Sequence, residues 1–264
     1  MSFNKEQLER YSRQLVLSEI GLSGQKKIAE SKVLVIGLGG LGSPAVLYLA
    51  AAGVGTLGLA DGDCVDVSNL QRQVIHFTPD VGKAKVESTR EKIAQINPEV
   101  RVVKYKERAV ASNIAELISE YDFIIDATDN FPAKFLINDA CVMNKKAFSH
   151  GGILRFNGQS MTYVPGHACY RCVFSDLPPQ DAVPTGAQAG VVGAIAGMIG
   201  SLQAAEALKY ILGKGTLLTD TLYVQDVLHS EFRTVAIKRN PSCAVCGEKP
   251  SITDLIDYEQ PSCS

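Results

Sequence analysis

The chain has 264 residues, 46% of them apolar and 20% charged, with a formal net charge of −2. That composition gives enough apolar material for a core and excludes a disordered chain. The near-neutral balance speaks against nucleic acid as a partner, because phosphate neutralisation needs a basic face.

Residues 1–13 are polar and charged with no apolar stretch, so no export signal is expected. The longest apolar run, 189–200, is far shorter than the ~20 residues that span a bilayer. A cytoplasmic protein with no membrane partner is the expectation. Leu8, Tyr11, Leu15 and Ile28 recur at helical spacings through the first ~30 residues. Residues 33–36 form an unbroken apolar run that ends at Gly37, as suits a strand buried on both faces of a parallel sheet. A helix over 41–52 closes at Gly53, and a strand over 56–60 ends at Asp61. Helices are predicted over 81–96, 111–120 and 132–144, and strands over 100–105, 123–126 and 147–149. This alternation calls for an α/β, Rossmann-like sheet.

After residue 150 the strands 159–164, 222–225 and 232–237 lack crossovers, which predicts an antiparallel half. Between them, Gly190, Gly193, Gly197 and Gly200 fall at helical spacings in 187–212. Glycines weaken a helix, so close packing against a neighbour is the expected return. Residues 175–188, with three prolines, read as a loop.

Four constellations carry chemistry. The first is the string GLGGLG over 37–42, between a strand and a helix, with Asp61 at the end of the next strand. Small residues let backbone approach a phosphate at a helix N-terminus, and the carboxylate suits ribose hydroxyls. A nicotinamide-dependent oxidoreductase would carry the same signal. The second is SNLQRQ over 68–73, followed by Lys85. Cations near a nucleotide point to phosphoryl or nucleotidyl transfer more than to hydride transfer. A solvated helix face accounts for Lys83, Lys85 and Arg90 equally well. The third is Asp126, Thr128, Asp129 and Asn130 at a strand end. Asp129 is the better candidate for Mg²⁺, and Asp126 reads as buried structure or a local cap.

The fourth is Cys169 and Cys172 with Cys243 and Cys246. Two C-x-x-C pairs give the four thiolates of a closed, structural zinc site. Cys64 and Cys141 read as plain thiols.

Six strings in order resemble the ThiF/MoeB/HesA adenylyltransferases, relatives of ubiquitin-activating enzymes. They are GLGGLG (37–42), SNLQRQ (68–73), VGKAKVES (81–88), ATDN (127–130), CYRC (169–172) and CAVC (243–246). The resemblance runs from residue 10 to Cys246. It implies ATP-dependent adenylation of the C-terminal glycine of a ubiquitin-like sulfur carrier ending in Gly-Gly, with release of pyrophosphate. A thiocarboxylate for thiamin, molybdopterin or a related pathway would follow. Gly40 would lie against the nucleotide and Asp61 would bind the ribose. Ser68, Asn69, Leu70, Gln71, Arg72 and Lys85 would line the phosphates, with Arg72 and Lys85 meeting the transition-state charge. Asp129 would hold Mg²⁺, and Asn130 would lie beside the nucleotide. Arg13 would reach across a homodimer to the neighbour's triphosphate.

The resemblance further implies one integrated unit over 1–264. A nucleotide-binding half spans 1–150, a carrier-facing half with the crossover loop and zinc spans 151–247, and a tail spans 248–264. The tail segment 251–259 is expected to form a short helix on the body. One departure stands out. Some family members carry a cysteine in the crossover loop that bonds to the carrier, and Gly186 occupies that position here. No covalent carrier–enzyme intermediate is expected at the loop, and no rhodanese segment follows within the sequence. Sulfur would come from a partner such as a cysteine desulfurase or a rhodanese. Cys263 is a weak alternative thiol, with no cation near it in sequence. Three rivals remain: adenylation of a peptide or tRNA-linked carboxylate by the same fold; the oxidoreductase, which leaves Arg72, Lys85, Asp129 and the four cysteines without a role; and a non-catalytic dimeric binding module on this fold, against which the intact cation set and Asp129 argue.

Overall fold

A computed structural model describes residues 3–180, 182–184 and 186–260. Cys263 lies outside them. The N-terminal segment forms three helices, α1 (Lys5–Arg10), α2 (Ser12–Leu15) and α3 (Gly21–Glu30). Tyr11 and Ile28 are buried, whereas Leu8 is exposed. The parallel half follows as β1 (Lys32–Ile36), α4 (Gly42–Ala52), β2 (Thr56–Ala60), α5 (Lys85–Ile96), β3 (Arg101–Tyr105), α6 (Ile114–Ser119), β4 (Phe123–Asp126), α7 (Phe131–Met143) and β5 (Ala147–Leu154). Then come β6 (Asn157–Tyr163), α8 (Tyr170–Val173), α9 (Gly186–Ala189), α10 (Gly193–Leu212), β7 (Thr221–Asp226) and β8 (Glu231–Ala236).

The strands make one eight-stranded sheet in the order β3-β2-β1-β4-β5-β6-β7-β8. Pairing is parallel from β3 through β5 and antiparallel from β5 through β8. The sheet is doubly covered, and the sequence of β1 shows why. Val33 and Val35 pack with α3, α4, α5 and α10, while Leu34 and Ile36 pack with α6 and α7. Alternate residues face opposite sides, and both sides are core, so the run is apolar throughout.

Two predicted helix starts shift at left-handed glycines. The helix expected over 81–96 begins at Lys85, because Gly82 takes φ +87° and breaks the turn before it. The helix expected over 187–212 begins at Gly193, because Gly190 takes φ +82°. Its glycines split in role. A Cβ on Gly200 would come within 2.2 Å of the Leu41 carbonyl, and one on Gly193 within 2.4 Å of the Gln71 carbonyl. Those two allow the close approach of α10 to α4 and to the segment before Arg72, whereas Gly197 faces open space. Residues 251–259 form no helix, contrary to expectation. The tail is irregular, with Ile252, Leu255 and Tyr258 packed on the α7 side of the core.

Candidate functional site

Ligands of an open parallel sheet gather beyond the carboxyl ends of its strands. Here that edge begins where β1 stops. Gly37 takes φ +93°, a conformation that favours glycine, and its N–H donates to the Ala60 carbonyl at 2.8 Å. A Cβ on Gly42 would lie 2.0 Å from the Gly37 carbonyl, so α4 can start this close to the loop only without a side chain. The loop therefore delivers the N-terminus of α4 to the sheet edge.

Asp61 follows β2 and folds over that loop. One of its oxygens accepts from the Leu38 N–H at 2.8 Å and the other from the Asp63 N–H at 2.8 Å. Lys85, at the first turn of α5, is buried, not solvated. Its ammonium sits 3.2 Å from Asp63 and 3.7 Å from Asp61. Burial opposes ionisation of Asp63, but its hydrogen bond from Arg108 and the charge of Lys85 outweigh that and hold its carboxyl below the usual range. The helix-face reading of Lys85 is thus corrected: the side chain points inward, to Asp61 and Asp63.

The segment after β2 forms a short 3₁₀ turn, Val67–Asn69. Ser68 donates through N and Oγ to Asp66, and Asn69 Oδ1 accepts from the Asp66 N–H at 3.2 Å. Leu70 is half-buried and Gln71 exposed. Arg72 donates to the Ser68 carbonyl at 3.0 Å, and its methylenes lie against Gly40. Gln73 is buried beside Gly39, and its Oε1 has no partner among the described residues.

Asp129 and Asn130 leave the end of β4, next to the glycine loop. Asn130 caps α7, accepting from the Ala133 N–H at 2.9 Å. Asp129 is exposed, and its carboxylate makes no hydrogen bond to the described residues. It shares with Asp61 and Asp63 the field of the Arg108 guanidinium. One free carboxylate at the strand ends is a donor that would suit Mg²⁺, which keeps most of its waters. Arg13, exposed on α2, is not brought to this edge. Its neighbours Tyr11 and Gln14 pack against Gly53 and Ala52 at the far end of α4.

Several residues at this edge went unread in the sequence. His76 bridges the Leu38 carbonyl at 3.0 Å and the Ser88 hydroxyl at 2.9 Å, bracing the glycine loop. Asp126 is fully buried as expected, but it pairs with Lys134 at 3.2 Å and His150 at 3.0 Å. A lysine inside the apolar stretch of α7, and a histidine at a strand end, were the available signals.

The four cysteines converge. Cys169 and Cys243 sulfurs are 3.6 Å apart, Cys172 and Cys246 sulfurs 3.4 Å, and all four lie within 4.8 Å of one another. Zn–S bonds of about 2.3 Å in a tetrahedron need sulfurs spaced this way, so the cluster is compatible with zinc. The Asn240 N–H points at Cys172 Sγ from 3.4 Å, as thiolate ligands favour. Cys64 is exposed and Cys141 buried, and neither joins the cluster.

Comparison with known proteins matches residues 11–245 to the ThiF family. The chain belongs to the ThiF family. This ThiF-family chain is 44% identical over 265 residues to a sulfur carrier protein adenylyltransferase of Thermus thermophilus, covering 98% of each chain. It is also 44% identical over 266 residues to the SAMP-activating enzyme E1 of Haloferax volcanii, covering 100% of this chain and 98% of that one. Among solved structures, MccB of E. coli shares the fold with a TM-score of 0.81 at 24% identity, covering 93% of this chain and 76% of its own. Among the described residues of this ThiF-family chain, no helix is long and apolar enough to cross a membrane.

Proposed function

We propose that this protein adenylates the C-terminal glycine carboxylate of a ubiquitin-like sulfur carrier, with ATP as donor and pyrophosphate as leaving group. The observation that carries the reading is the pairing of the glycine loop with two cations, one buried and one half-buried. Lys85 is buried beside Asp61, and Arg72 lies against Gly40. Hydride transfer has no use for that charge.

The reaction needs no general base. A carboxylate oxygen of the carrier attacks the α-phosphorus, the bond from that phosphorus to the bridging oxygen breaks, and pyrophosphate leaves with the electron pair. Negative charge grows on non-bridging and leaving oxygens, and positive groups fixed in place lower that barrier. Arg72 and Lys85 supply it from within the chain, while Ser68, Asn69, Leu70 and Gln71 line the path. Gly40 admits the phosphates to the backbone, Asp61 takes the ribose hydroxyls, and Asn130 borders the nucleotide. Mg²⁺ held by Asp129 would neutralise phosphate oxygens. Arg13 is remote from its own edge, so it serves the active site of the second subunit in a homodimer. Cys169, Cys172, Cys243 and Cys246 would hold Zn²⁺ in a closed set that fixes structure and leaves no position for substrate.

The 264 residues act as one unit, with 1–150 holding ATP, 151–247 facing the carrier and 248–264 as a tail. With Gly186 in the crossover segment, the acyl-adenylate passes to a sulfur donor such as a cysteine desulfurase or a rhodanese without a bond to this loop. ATP supply and reduced thiolates suit a cytoplasmic location.

The test is carrier-dependent exchange of labelled pyrophosphate into ATP, with a panel of ubiquitin-like carriers ending in Gly-Gly. Exchange with one carrier is the expected result and names the substrate. ATP binding with no exchange would move the substrate to a peptide or RNA carboxylate. Failure to bind ATP would overturn the enzyme reading.

A further inference from the structure

Asp126 ends β4 in full burial, where an unpaired carboxylate would be strongly unfavourable. Its acceptor positions are all taken. Oδ1 accepts from the Thr128 N–H at 3.1 Å and the Thr128 hydroxyl at 2.6 Å. Oδ2 faces the Lys134 ammonium at 3.2 Å and accepts from His150 Nδ1 at 3.0 Å. Lys134 also donates to the Gly151 carbonyl at 2.7 Å. From α10, Gln203 donates to the carbonyls of Asp126 and Ser149 at 2.8 and 3.0 Å. Strands β4 and β5 and helices α7 and α10 thus meet at one residue. Burial first, and the charge of Lys134 second, push His150 down to about 4, so it is neutral near pH 7 and Lys134 alone balances the carboxylate.

None of these groups has a part in the proposed reaction. An apolar cluster would fill the space as well and often more stably. What the ionic set adds is direction. The two Thr128 bonds to Oδ1 close an Asx-type turn that fixes how the chain leaves the strand. The Asn130 cap fixes the start of α7 three residues later. Asp129 lies between these two clamps with its own carboxylate free. Asp126 has no lone pair to spare for a metal, so its contribution passes through the turn.

We infer that Lys134 is a positioning residue: by holding the Asp126 carboxylate in this orientation, it sets the turn from which Asp129 meets the Mg²⁺ of an incoming Mg·ATP. The inference rests on the proposed adenylation site and adds a residue to it.

The test uses the full chain as wild type, Lys134→Met, Lys134→Arg and Thr128→Val. Mn²⁺ affinity in the presence of ATP is read by paramagnetic resonance, and ATP affinity is read separately in EDTA. Lys134→Met should weaken Mn²⁺ binding by about tenfold or more, the usual cost of losing a group behind a metal ligand. ATP affinity in EDTA should stay the same. Lys134→Arg should recover most of the loss. Thr128→Val should weaken the metal in the same direction by a smaller factor. Equal losses of metal and of ATP, or no loss of metal affinity, would overturn the inference. Should Lys134→Met fail to fold, Thr128→Val decides alone, because it leaves the buried ion pair in place. Pyrophosphate exchange is run on the wild type in parallel. Normal Mn·ATP binding without exchange for any carrier would sink the adenylation reading while the variant series still decides the role of Lys134. A wild type that binds no ATP would overturn both.

Discussion

Compare the strands at the middle of the sheet with those at its antiparallel end. β1, β2 and β4 are buried along nearly their whole length, whereas every residue of β8 is exposed and β7 is mostly half-buried. The first group is held by helices on both faces, so burial alone secures it, at roughly 25 cal/mol per Å² of apolar surface. The antiparallel end lacks that cover and is tied by other means. Cys243 and Cys246, just beyond β8, meet Cys169 and Cys172, just beyond β6. Arg171, inside the first cysteine pair, makes a bidentate pair with Asp139 of α7 at 2.7 and 2.9 Å and stacks on Phe135. Tyr258 of the tail donates to the same carboxylate. One sheet therefore carries two kinds of stability: a spread-out one in its parallel middle, and a concentrated one at a few ties.

The largest effect should come from cutting the tie. Cys243→Ser, or stripping of zinc, should remove a contribution on the order of 10 kcal/mol, as in other structural zinc sites. Amide hydrogen exchange should then rise first in β7 and β8 while β1 and β4 stay protected. Much less than one zinc per chain in a stably folded wild type would refute this. Next come changes at the other region that leave stability alone. Arg72→Ala and Asp129→Ala should each lower pyrophosphate exchange by about 10²–10³-fold, as loss of one transition-state contact does, with an unchanged melting temperature. Wild-type exchange in either variant would remove that residue from the mechanism.

Acid should reach the parallel half of the sheet through a buried histidine. His150 titrates near 4 in the fold, against an ordinary 6.5. The unfolded chain thus binds more protons between those values. Stability should be full above about pH 6.5 and fall as pH drops towards 4, by about 3 kcal/mol for the whole shift. His76, also lowered, by burial first, adds to the same slope. A denaturation midpoint that stays flat over this range would argue against a neutral buried His150. The smallest effect should be Tyr258→Phe, about 1–2 kcal/mol for one hydrogen bond to a carboxylate that keeps its Arg171 partner. Its consequence should appear in the tail and around Arg171, and hardly at β1.

The sequence was most legible where one rule acted without a competitor. All eight strands follow from apolar runs, and the parallel sense of the first five follows from the helices between them; β6 and β7 pair antiparallel although α10 intervenes. The glycine loop, Asp61 and the cysteine pairs were legible too, since their residue types admit few other uses. Helix starts were less legible, since a left-handed glycine at 82 or 190 stops a helix while looking like any other residue in a periodic pattern. Lys85 looked like surface because charge is usually solvated, and its burial depends on Asp61 and Asp63, which come together with it only in three dimensions. The Asp126, Lys134 and His150 cluster was hidden for the same reason: its members sit on three elements. The tail misled because the resemblance implied a helix, whereas Ile252, Leu255 and Tyr258 dock without one on side chains already in place.

The two cysteine pairs lie on either side of the crossover segment, α10, β7 and β8. A metal bound to all four would close residues 173–242 into a ring. A protease cut between Asp176 and Pro184 would then open the backbone without parting the molecule. The two fragments would then be joined by a metal ion in place of a peptide bond, beside the β6–β7 pairing and the packing of α10 on α4.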